Sequence, residues 1–103
     1  MKIKEYIMFK TGKLNGYYKI MNLDGYIYEG YFTNSILNGM GKIIYPDNDL
    51  VLDGELKNGK LNGQGKMIYS NSDVYEGYFE NNKLIGYGYF TSKNGNKYEG
   101  YFE

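Results

Sequence analysis

A five-residue phrase returns along this chain at a nearly constant interval, and a chain written that way folds as a stack of like units rather than as one globule. Tyr28-Glu29-Gly30-Tyr31-Phe32 recurs as Tyr75-Glu76-Gly77-Tyr78-Phe79 and as Tyr98-Glu99-Gly100-Tyr101-Phe102, with Leu52-Asp53-Gly54-Glu55-Leu56 as a variant between them. The steps are 24, 23 and 23 residues. A second phrase keeps the same interval: Leu37-Asn38-Gly39-x-Gly41, Leu61-Asn62-Gly63-x-Gly65 and Leu84-Ile85-Gly86-x-Gly88, with Leu14-Asn15-Gly16 marking a degenerate copy upstream. The expected organisation is one domain, 1–103, with a degenerate repeat at about 5–27, repeats at 28–51, 52–74 and 75–97, and a partial repeat at 98–103.

Within a unit, Asn58-Gly59 between Lys57 and Lys60 is the strongest two-residue hairpin signal and suits a type I′ turn. Such a turn sets the register: Leu56 opposite Leu61, Gly54 opposite Gly63 and Leu52 opposite Gly65, all on one face. Transferred to the other copies, Tyr28 faces Gly41, Gly30 faces Gly39 and Phe32 faces Leu37. In the later copy Tyr75 faces Gly88, Gly77 faces Gly86 and Phe79 faces Leu84. The expectation is an aromatic ring lying flat over bare backbone once per unit. The other turns fall at Thr11-Gly12, Asn34-Ser35 and Asn81-Asn82, mostly residues that tolerate positive φ.

Between units, five residues separate Tyr69 from Tyr75, an odd number that allows them to pair on the aromatic face. Six residues, Pro46 to Val51, separate Tyr45 from Leu52, so an irregularity is expected there. In the degenerate copy the same register puts Glu5 opposite Tyr18, as suits a terminal unit facing water.

Composition supports strands and removes most chemistry. The chain has 14 tyrosines and 15 glycines but no alanine, which argues for an all-β fold. Its formal net charge is zero and every basic residue is lysine, so no global field draws in nucleic acid. Without histidine or cysteine, acyl-transfer triads, His/Cys zinc sites and disulfides are out of reach. With no sequon, signal-peptide pattern or long apolar run, the expected setting is intracellular, cytoplasmic or peripheral to a membrane.

The two phrases, joined by a short turn and repeated at 23-residue spacing, resemble the MORN repeat (membrane occupation and recognition nexus), closely over 28–103 and weakly over 5–27. Leu52 and Leu56 depart from it by replacing the usual aromatics. The resemblance implies an elongated, twisted, single-layer antiparallel sheet of tandem hairpins. It also implies a scaffold or adaptor that binds protein and can self-associate as a homodimer. Phospholipid binding at a membrane surface, or service as the regulatory MORN fragment of an enzyme, are the alternatives the family offers.

No catalytic residue, metal ligand or cofactor is expected. Glu29, Asp53, Glu76 and Glu99 recur at the repeat period and so mark a structural ladder position rather than an acid–base pair. Gly59 to Met67 lacks the glycine spacing and the following helix of a phosphate loop, and Asp47-Asn48-Asp49 lacks the third ligand and the glycine of a calcium loop. A single sheet must use one face as its core, so Tyr28, Phe32, Tyr75, Phe79, Tyr98 and Phe102, with Gly30, Gly39, Gly41, Gly54, Gly63, Gly65, Gly77, Gly86, Gly88 and Gly100, are read as structural. The opposite face carries the candidate protein contacts, Tyr31, Tyr78, Tyr87, Tyr89 and Tyr101. Lys10, Lys13, Lys57, Lys60 and Lys83 fall at hairpin tips along one edge and are the candidates for weak anionic-lipid contact. Asp24, Asp47, Asp49 and Asp73 fall near the other edge. The array ends at Phe102-Glu103, half a hairpin short, so its last strand is expected to be a further candidate edge for a partner chain.

Overall fold

The computed structural model describes residues 3–5 and 13–103. They form β1 (Ile3–Glu5), β2 (Gly16–Met21), β3 (Ile27–Thr33), β4 (Ile36–Ile44), β5 (Leu50–Lys57), β6 (Lys60–Tyr69), β7 (Val74–Glu80), β8 (Lys83–Thr91) and β9 (Lys97–Phe102). All belong to one open sheet in which each strand lies beside its predecessor in the chain. From β2 to β9 every neighbouring pair is antiparallel. Eight inter-strand steps of about 4.8 Å give about 38 Å, which accounts for most of the 46 Å long axis.

The turns behave as the sequence predicts. Asn34-Ser35 (φ 50 and 66°), Asn58-Gly59 (52 and 79°) and Asn81-Asn82 (48 and 69°) all hold positive φ at both central positions, as a type I′ hairpin requires. Thr11-Gly12 lies outside the described residues.

Beyond the turns the register departs from expectation by two residues. Leu56 does face Leu61, Phe32 faces Leu37 and Phe79 faces Leu84. Past a bulge, however, Gly54 faces Gly65, Gly30 faces Gly41 and Gly77 faces Gly88, while Leu52, Tyr28 and Tyr75 face Met67, Ile43 and Phe90. The expected pairs Tyr28–Gly41, Gly30–Gly39, Leu52–Gly65, Gly54–Gly63, Tyr75–Gly88 and Gly77–Gly86 are therefore corrected. The physical cause sits in the second strand of each hairpin, where Gly39, Gly63 and Gly86 take φ of 93, 118 and 74° and let the strand bulge outward. A slip of two residues keeps every side chain on its expected face.

The bulge also changes what covers the glycines. A Cβ on Gly65 would lie 2.8 Å from Leu61 Cδ2, and one on Gly77 2.8 Å from Leu84 Cδ1. One on Gly30 would lie 2.9 Å from Leu37 Cδ1. Leucine methyls, not aromatic rings, close over the paired glycines. At Gly100 a ring takes that place, with Tyr98 Oη 2.7 Å from the would-be Cβ.

Three junctions add detail. Tyr69 and Tyr75 do not stand opposite one another, because the Tyr69 N–H donates to Asp73 O (2.9 Å) and Met67 takes the place facing Tyr75. Their rings meet diagonally instead, with centroids 5.8 Å apart. Between Tyr45 and Leu50 the extra residue is absorbed in a 3-10 turn at Pro46–Asn48, with Asp47 and Asn48 at φ 59 and 55°. Glu5 does not face Tyr18: β1 runs parallel to β2, with Glu5 beside Met21, and Tyr18 faces Gly30. Among the described residues, the degenerate copy contributes β2 to the antiparallel ladder.

One face holds the core: Leu14, Ile20, Phe32, Leu37, Ile43, Leu52, Leu56, Leu61, Met67, Phe79 and Leu84. Leu52, Leu61 and Phe79 are 0% exposed although no second layer among the described residues covers them. The sheet manages this by twisting. A flat sheet would be about 10 Å thick, whereas the cross-section is 24 × 21 Å, so side chains from neighbouring strands wrap over each other. Leu52 and Leu56, which replace the aromatics of the other copies, lie at the most buried part of this face.

Successive hairpins are also fastened at their turns. The Leu61 N–H donates to Asn82 Oδ1 (2.7 Å), the Asn82 N–H to Leu61 O (3.0 Å), and the Asn81 N–H to Asn62 Oδ1 (3.1 Å). Leu14, Asn15, Asn34 and Ser35 repeat the arrangement, with Leu14 N–H to Ser35 Oγ (2.8 Å), Ser35 N–H to Leu14 O (2.9 Å) and Asn34 N–H to Asn15 Oδ1 (3.1 Å). This is what the asparagine of the second phrase does. At the middle hairpin the corresponding turn residue is Gly59, which has no side chain to accept. Asn62→Ala is expected to cost about 1 kcal/mol, read from the urea midpoint at unchanged m. An equal loss on Asn38→Ala, which makes no such bond to the turn residue Asn58, would deny the fastening its role.

Candidate interaction face

Alternation along each strand places on the second face everything the core does not use, and cross-strand register sorts it into three rows. The row nearest the loops is aliphatic: Met21, Ile27, Ile44, Val51, Ile68 and Val74 face one another in turn from β2 to β7. Ile27 to Val74 in this row are half-buried. The middle row is charged and alternates in sign: Lys19, Glu29, Lys42, Asp53, Lys66 and Glu76, followed by Tyr89 and Glu99. Opposite charges on adjacent strands favour this register, each pair by a fraction of a kcal/mol at most.

The third row, nearest the turns, carries the exposed rings. Tyr31 is 58% exposed and Tyr101 76%, with Tyr78 and Tyr87 also exposed, as is Tyr89 in the middle row. They do not form one continuous stripe. Tyr31 packs on Tyr17 of β2, ring centroids 5.1 Å apart and nearly perpendicular. Tyr101 packs on Tyr87 in the same way at 5.2 Å, and Tyr87 meets Tyr89 at 6.1 Å. Between these clusters Met40 faces Glu55 and Gln64 faces Tyr78. Glu55 is turned to structural use, accepting from the Gln64 N–H (2.8 Å) beside the bulge.

Tyr17 escaped the sequence reading. Its signal was present, since Asn15-Gly16-Tyr17 matches Ile85-Gly86-Tyr87 in the repeat frame. The two clusters share a polar contact: Tyr17 donates to Glu29 Oε2 (3.1 Å) and Tyr87 to Glu99 Oε2 (2.6 Å). Both hydroxyls have their pKa raised above 10.0. At Tyr87 the hydrogen bond to Glu99 is the leading cause, followed by desolvation, whereas at Tyr17 desolvation leads and the Glu29 contact follows. Desolvation also raises Tyr28 and Tyr69 on the core side. A depression of about 310 Å³ lies beside Tyr17 and Tyr31, floored by Gly30 and Gly41 and edged by Met40 and Lys42.

The tip lysines divide. Lys57 and Lys60 flank an open notch shared with Asn58, Asn62 and Asn81, and Lys13 and Lys83 are exposed on the same edge. Lys10 lies outside the described residues. Among the described residues no three acidic side chains converge as metal ligands, and no helix is long and apolar enough to cross a membrane.

Three consecutive segments of the chain, residues 28–50, 53–74 and 75–97, match the MORN repeat family. The chain belongs to the MORN-repeat family. Comparison with curated proteins finds no match. The matched MORN repeats cover β3 to β8 and the approach to β9, with each segment opening on the first strand of a hairpin. MORN repeats mark a repeat module for protein interaction or membrane association, which sets the class of function and leaves the partner to the surface chemistry.

Proposed function

We propose that this MORN array is a non-enzymatic scaffold that binds a protein partner through its second face, a second copy of the chain being one such partner. The observation that supports this most is the exposure of Tyr31, Tyr78, Tyr87, Tyr89 and Tyr101 beside a half-buried aliphatic row on a face that no other part of the described chain covers. Tyrosine offers a large apolar body with a polar tip and little rotamer entropy to lose, which suits an interface. An alternating charge ladder fits a specific protein better than a lipid surface, because its field cancels over a few ångströms.

The test compares wild type with a Tyr31→Ser, Tyr101→Ser double variant in sedimentation and in quantitative affinity capture. Both positions are exposed, so the double variant is expected to fold normally while losing self-association or its captured partner by at least about tenfold, the loss of two contact rings. Equal mass and equal capture in both proteins would refute the reading. Flotation with anionic vesicles decides the lipid alternative: salt-sensitive binding lost on Lys57→Glu, Lys60→Glu would replace the protein reading with a membrane one.

A further inference from the structure

The charge ladder on the second face keeps strict alternation through six strands and then breaks. Lys19, Glu29, Lys42, Asp53, Lys66 and Glu76 each face the opposite sign, and the next position in the series calls for a lysine on β8. Tyr89 stands there instead, between Glu76 and Glu99. Glu76 keeps Lys66 on its other side, whereas Glu99 on β9 faces Tyr89 and no lysine across the row. Tyr89 meets Tyr87 at a centroid distance of 6.1 Å and an interplanar angle of 89°, and Tyr87 meets Tyr101 at 5.2 Å and 80°. Glu99 Oε2 accepts from the Tyr87 hydroxyl at 2.6 Å, tying the carboxylate to the rings.

Mutually perpendicular rings beside a carboxylate that no lysine faces are what an incoming cation needs: negative ring faces for its charge and carboxylate oxygens for its N–H groups. We propose that the Tyr87, Tyr89 and Tyr101 cluster, with Glu99, receives a lysine or arginine side chain of the partner protein, which supplies the missing positive charge of the ladder. The inference rests on the reading of the second face as a protein-binding surface and names the chemistry of what docks there. The molecule contains its own comparison. Tyr17, Tyr31 and Glu29 repeat the same ring pair and hydroxyl–carboxylate contact at the other end, but Glu29 is flanked there by Lys19 and Lys42. A cation is therefore expected at the β8–β9 end and not at the β2–β3 end.

The probe is a set of blocked glycine-rich pentapeptides with a central lysine, arginine, norleucine or glutamate, titrated to about 10 mM, the range where single contacts are read, against the full chain and followed through tyrosine ring resonances. Lysine and arginine peptides are expected to shift Tyr87, Tyr89 and Tyr101 while leaving Tyr17 and Tyr31 in place, and to bind about five- to tenfold more tightly than norleucine. Tyr89→Lys, which restores the alternation, is expected to abolish binding, and Glu99→Gln to weaken it about threefold, with unchanged far-ultraviolet dichroism in both variants. Equal binding of norleucine, no shift with either basic peptide, equal response at Tyr17, or full binding by Tyr89→Lys would each overturn the inference. The two proposals fail separately. If Tyr31→Ser, Tyr101→Ser loses the partner but basic peptides show no preference, only the cation inference falls; if peptides discriminate but the double variant keeps its partner, the broader reading falls.

Discussion

Gly54→Ala is expected to remove most of the stability of this sheet, a loss of about 3–5 kcal/mol from overpacking and backbone strain together. Gly54 is buried at φ 151°, and an added Cβ would press on the Gln64 carbonyl and stand 2.5 Å from Gly65 Cα. Both obstacles are backbone, which cannot step aside as a side-chain tip can. A domain of this size has only about 5–15 kcal/mol in all, so the variant should unfold at much lower urea or fail to fold. Gly39→Ala supplies the contrast: its φ is 93°, yet nothing lies within 4 Å of the added carbon, so only strain remains, about 1–2 kcal/mol. Equilibrium urea unfolding of the pair checks the difference, and equal losses would mean that the glycine pairing is not what limits the sheet.

The second large effect is expected at Phe79. It is 0% exposed and lies between Leu84 on β8 and Gly63 on β6. Phe79→Ala should cost about 3–5 kcal/mol, since the described residues supply no opposing layer to collapse into the space. Tyr101→Ser, one repeat later and on the other face, should change stability by no more than about 0.5 kcal/mol. Thermal unfolding of the two variants reads this directly. A similar penalty at both positions would contradict the division of the sheet into a core face and a contact face.

That division was legible in the sequence because it depends only on parity. The Asn58-Gly59 turn and the period-two alternation put Phe32, Leu56, Leu61 and Phe79 together on the core side, and the structure keeps them there. What the sequence hid was the bulge. Gly63 and Gly65 are two residues apart on the same face, so either could oppose Gly54, and nothing local to the turn decides between them. The choice is made by Leu61, whose methyl group needs the space over the glycine pair, and that is a contact between strands rather than a property of a segment. The same ambiguity concealed the charge ladder. An unshifted register would put Asp53 opposite Gln64, whereas the bulge brings it to Lys66. The asparagine fastenings were hidden for a related reason, since they join positions 19 to 21 residues apart and only a correct stack brings those together.

From β2 onward, each strand finds its partner immediately before and after it in the chain. Sheets usually assemble slowly because distant segments must search for each other before any contact rewards the closure. Here the search is reduced to hairpins and short connections, so the protein can grow one ribbon at a time against an existing template, in the manner of a zip rather than of a knot being tied. An all-strand protein of this design should thus behave kinetically more like a bundle of helices than like a sandwich.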